Sequence, residues 1–124
     1  MSYEELKALV DILLRHVESL DRGERSVRDA SSYAAMMSIV AFKAWKASLL
    51  RLANKAREVY EEARGGNRLA ASIDACELSD QVRGLIMAAS VDDPIFLSLR
   101  PTLSYLQAVA SVLCRPLPQP TTQP

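Results

Sequence analysis

Large aliphatic residues recur at three- and four-residue steps from the first turn of the chain. Leu6, Leu9, Val10, Leu13, Leu14, Val17 and Leu20 fall on one stripe of a helical wheel, and Glu4, Lys7, Asp11, Arg15 and Glu18 fall opposite. Ser2 followed by Glu5 fits a capping box, in which each side chain accepts from the other residue's backbone N–H. Gly23 is placed to end this first helix, because glycine takes the positive φ of a C-terminal cap without strain. Ser26 with Asp29, or the pair Ser31 and Ser32, marks the start of a second helix. Nothing then breaks the pattern before Gly65-Gly66-Asn67, so this helix is predicted to run at least about 30 residues, or roughly 45 Å. Its first part, residues 33–42 (YAAMMSIVAF), is apolar all round, which demands cover on more than one side. From Lys43 onward one face holds Trp45, Leu49, Leu52, Ala56, Val59 and Tyr60, the makings of a central spine.

Beyond the glycines, Leu69, Ile73 and Cys76 form one apolar stripe, and Leu78, Val82, Leu85, Ile86 and Ala89 form another. The two are out of phase near Glu77 and Asp80, which predicts a kinked helix or two short ones. Asp92-Asp93-Pro94 reads as a helix start, with Asp93 as N-cap and Pro94 at the first helical position, where its missing N–H costs nothing. Pro101 is predicted to interrupt that helix after about two turns. Leu103, Leu106, Val109, Ala110 and Leu113 then carry a last helix to Cys114. No stretch alternates apolar and polar residues at strand length, and no Asn-Gly or Asp-Gly hairpin signal occurs. The predicted fold is all-α: a compact bundle of four to five helices around a long central second helix, spanning 1–115. A Pro-rich flexible tail, 116–124, carries four prolines and no charge.

Composition narrows the function classes. The chain has 124 residues, 49% of them hydrophobic and only 6% aromatic, enough for one core without staples. Lys and Arg (15) balance Asp and Glu (15), so no bulk field recruits nucleic acid or anionic lipid. The opening MSYEELKALV places acids where a secretory signal needs bases, so export by that route is not expected. The longest strongly apolar run is about half of what a membrane span needs. These readings predict a soluble, cytoplasmic domain with no membrane span. Cys76 and Cys114 form no C-x-x-C pair and have no neighbouring His, which argues against zinc. They read first as two small buried hydrophobes. A disulfide pinning the last helix is the other reading, unusual in a mesophile's cytosol but acceptable in some hyperthermophiles.

Candidate chemistry is sparse. The single histidine, His16, flanks the apolar stripe and reads as a boundary residue, and four glycines leave no phosphate loop. Glu58, Glu61 and Glu62 cluster late in the second helix, but a di-metal bundle site needs Glu-x-x-His motifs on two helices. Lys55, Arg57 and Arg64 stand at pairing distance, so a solvated charged face is the expectation. No catalytic residue, metal or cofactor is predicted, and enzymatic activity is not expected.

What remains concerns surfaces. Between Asp29 and Glu58 there is no acid, yet Lys43, Lys46, Arg51, Lys55 and Arg57 fall there. Such a stretch can form a phosphate-binding stripe. On a wheel Lys43, Lys46 and Arg57 group together while Arg51 and Lys55 lie toward the other side, so an ordinary solvated face is the competing reading. Residues 65–115 carry only nine charges in 51 positions, which suggests apolar helix faces covered by a protein partner or by a second copy. The expected function is that of a non-catalytic small helical subunit of a larger assembly, with nucleic-acid phosphate contact along the basic helix. A self-assembling structural protein is the alternative. Size and helix count alone are similar to the small subunits of CRISPR effector complexes and to helical coat proteins of archaeal filamentous viruses, a likeness of fold only.

Overall fold

In the structure, a computed structural model, residues 3–30 and 33–114 are described, with side chains for all of these except 24–30 and 33–38. The four described helices are α1 (Tyr3–Ala30), α2 (Tyr33–Arg64), α3 (Arg68–Ala88) and α4 (Pro94–Leu113). They alternate in direction, α1 on α2, α2 on α3, α3 on α4, and α4 closes back lightly on α1. One core runs through all four, with Leu6, Leu13, Leu49, Leu78, Leu103 and Leu106 fully buried. Each such side chain contributes about 1.5–3 kcal/mol by leaving water. The spine face of α2 is as the pattern predicts: Trp45, Leu49, Leu52, Ala56, Val59 and Tyr60 are all buried.

Local chemistry sets two of the turns. Gly66, at φ 89°, takes the left-handed conformation after α2. Asn67 N–H then donates to Glu62 C=O at 2.9 Å and Gly66 N–H to Ala63 C=O at 3.1 Å, a Schellman closure. Asn67 in turn caps α3, its Oδ1 accepting from Ala70 N–H at 3.1 Å. At α4, Asp93 is the N-cap, accepting from Ile95 N–H at 2.8 Å, with Pro94 in the first turn as predicted. The other carboxylate oxygen of Asp93 accepts from Trp45 Nε1 at 3.0 Å, so one side chain both caps α4 and ties it to the spine.

Three expectations are corrected. Gly23 does not end α1, which continues to Ala30. A Cβ at Gly23 would lie 3.4–3.8 Å from the Phe42 ring, an ordinary contact, so neither termination nor packing requires glycine at this position. Pro101 does not interrupt α4, which runs 20 residues through it. Pro101 and Leu97 are both exposed, so the bond missing between them lies on the solvent side while Leu99 and Leu103 hold the core side. Finally, α3 is one unbroken helix. Its buried face is Ala71, Ser72, Ala75, Leu78, Ser79 and Val82, a single regular stripe, whereas Leu69 and Ile73 point outward. The Ser2 half of the capping box, the Ser31–Ser32 start and the Pro-rich tail lie outside the described residues.

Candidate interaction surfaces

The helices differ in length, and this shapes one end of the bundle. At 1.5 Å per residue α1 and α2 span about 42 and 48 Å, but α3 and α4 only about 32 and 30 Å. The α3–α4 connection passes at the level of Phe42 and Trp45: Trp45 stacks on Phe96, and Pro94 and Ile95 share a cavity with Gly23 and Phe42. The α1–α2 hairpin therefore continues past the four-helix body, by about 13 Å along α2. Around the base of this overhang Val40 (63%), Met87 (79%) and Val91 (70%) are exposed, together with Leu97. His16 is half-buried at the rim of the shared cavity, about 310 Å³, beside Ser19 and Ser98.

The five basic residues of α2 do not form one open stripe. Lys46 pairs with Asp21 of α1 at 2.6 Å. Arg57 is exposed near Lys7, Asp11 and Tyr60, also on the α1 flank. Arg51 is exposed on the opposite flank, near Gln81 and Leu85 of α3. Lys55, on that same flank, is only 15% exposed and meets Asp74 at 3.0 Å, Glu58 at 3.6 Å and Glu77. Lys43 is exposed. The wheel's division into two groups is thus realised as two sides of the spine.

The Lys55 cluster was not legible in the sequence, because its partners lie on another helix. Three carboxylates, Glu77 foremost, hold the Lys55 ammonium above the ordinary lysine value despite burial. Glu62, expected on a solvated face, is half-buried instead, and its Oε1 is sealed from water with no donor among the described residues. It faces Asp74. Proton sharing with Asp74 and burial push Glu62 up to about 7, and the same sharing, with Lys55, holds Asp74 below the usual carboxylate range.

Cys76 and Cys114 are joined by a disulfide that fastens α3 to the C-terminus of α4, so the second of the two readings holds. Ser72 Oγ donates to Cys114 C=O at 3.2 Å beside it, and Ser79 and Ser111 hydroxyls meet at 3.0 Å one turn along. Such bonds persist in oxidising compartments and in the cytosol of some hyperthermophiles. Tyr105 OH donates to Glu5 Oε2 at 2.7 Å, linking α4 to α1. Among the described residues no group of His, Cys, Asp and Glu is placed to hold a metal ion, and no helix is long and apolar enough to cross a membrane. Compared with known proteins, the chain matches no family model, no curated protein and no solved structure.

Proposed function

We propose that this chain is a non-catalytic helical subunit of a larger assembly, joined to its neighbour through the overhanging end of the α1–α2 hairpin. One observation carries the reading. The hairpin outruns α3 and α4 where the sequence of α2, residues 33–42, has no charge. A helical segment without a polar face calls for cover on more than one side, and α3 and α4 are both shorter than α2. Val40, Met87 and Val91 add exposed apolar side chains at this end of the bundle. Phosphate contact fits less well: Lys46 and Lys55 would each have to give up carboxylate partners, and Arg51 and Arg57 flank opposite sides of the spine.

The test is solution mass by sedimentation at rising concentration, for the parent and for Val40→Glu. Association that grows with concentration and is weakened by the added charge supports the reading. A parent that stays a monodisperse monomer, with solubility unchanged by Val40→Glu, refutes it.

A further inference from the structure

The bundle is built as two hairpins, and what joins them differs from what holds each together. The α3–α4 hairpin is fastened covalently by Cys76–Cys114 and cannot shed one helix alone. It is tied to α1–α2 by Trp45–Asp93, by Tyr105–Glu5 and by the Lys55 cluster. In that cluster the Lys55 ammonium pairs with Glu58 from α2 and with Asp74 and Glu77 from α3, and a fourth carboxylate, Glu62 of α2, faces Asp74. Glu58 and Glu77 are more than half exposed, where water screens them, but Lys55 and Asp74 are 15% and 16% exposed. The unscreened surplus of negative charge therefore falls on Asp74 and Glu62, whose buried Oε1 meets no donor. Two ionised carboxylates face to face in this seam repel, and a proton between them turns the repulsion into a hydrogen bond.

We propose that the seam between the two hairpins is a proton-operated latch, closed while Glu62 holds a proton against Asp74 and loosened when that proton leaves. The charged groups acting on Glu62 come from α2 (Lys55 and Glu58) and from α3 (Asp74). On α1, Glu4 and Lys7 engage Tyr60 rather than Glu62. The closed form keeps its Glu62 proton up to about pH 7, whereas a solvated glutamate loses it near 4.5. Glu62 therefore stabilises the closed form fully below about pH 4.5, and this contribution fades as pH rises through about 7. Asp74 works in the opposite sense and in a lower window: its contribution is present above 3.8 and is lost only as pH falls below the ordinary carboxylate range. Lys55, held above its ordinary value of 10.5, changes only in strong base.

Hydrogen exchange of α3 amides, corrected for intrinsic rate, reads the latch at about pH 5.5 and about pH 8.5. Those two glutamate values predict roughly 30-fold more opening at the higher pH. In Glu62→Gln, whose amide donates to Asp74 at every pH, the two measurements should agree within about threefold. His16, about 20 Å away along the bundle, is replaced in a His16→Asn control, which should behave as the parent. Independently, the Glu62 side-chain carbon signal of the parent should titrate with a midpoint near 7. Equal opening at both pH values, the same pH dependence in Glu62→Gln, or a carbon midpoint below about 5 overturns the latch. If Glu62→Gln does not fold, the parent's exchange and carbon titration decide.

Discussion

Breaking the Cys76–Cys114 bond should have an effect whose size follows from the chain's own connectivity. The bridge spans a sequence separation of 38 residues. Opening a loop of that length returns conformational entropy to the unfolded chain amounting to about 4 kcal/mol at 25 °C. The folded side should change little. Cys114 N–H still bonds to Ala110 C=O at 2.9 Å, and Ser72 still donates to the Cys114 carbonyl, so the end of α4 keeps its place without the covalent link. Because a domain's total stability is only about 5–15 kcal/mol, such a loss is large. The measurement is urea unfolding followed by circular dichroism at one pH, for the oxidised chain, the reduced chain, and the double variant Cys76→Ser, Cys114→Ser. Both altered forms should keep their helical signal and unfold at lower urea, with extrapolated losses of about 2–5 kcal/mol. Losses under about 1 kcal/mol would refute the loop-entropy reasoning. Two alkylatable thiols in the denatured, unreduced chain would refute the bridge itself.

Four further outcomes test the packing and the surface. Trp45→Ala should cost about 3–5 kcal/mol in thermal or urea unfolding. Trp45→Phe, which loses the bond to Asp93 but leaves the α4 cap in place, should cost about 1 kcal/mol. Gly84→Ala should stabilise the chain by about 0.5–1 kcal/mol, because the position is inside α3 and a Cβ there meets no atom within 4 Å. Single-stranded oligonucleotides should show no saturable anisotropy change with the chain at about 50 mM salt, where phosphate contacts are strong. Binding that the triple variant Lys43→Gln, Lys46→Gln, Arg57→Gln loses would restore the phosphate reading.

Residues acting within their own helix were the readable ones. The core faces of α1, α2 and the second half of α4 follow from aliphatic spacing, since burial rewards large apolar side chains wherever they line up. The Asp93-Pro94 start is equally local, a carboxylate and a fixed φ acting within one turn. Gly23 and Pro101 misled because they are breakers by local preference, and packing overrode both. Phe42 packs beside Gly23 within the α1–α2 contact, and Leu99 and Leu103 bury across the proline. In α3 the buried stripe is mostly alanine and serine, residues that allow close approach but give a weak apolar signal, while Leu69 and Ile73 drew attention to the wrong face.

The amino-acid sequence by itself determined the helices, most of the core and the long charge-free start of α2. These depend on interactions within a few residues, or on an apolar face that any neighbour can cover. The tertiary structure alone decided the pairings at distance: Lys55 with Asp74, Glu62 against Asp74, Trp45 with Asp93, and Cys76 with Cys114. No helical period links residues on different helices. A carboxylate on a polar face reads as solvated until another helix lies over it, and the desolvation and proton sharing that mark Glu62 arise only once α3 is laid against α2.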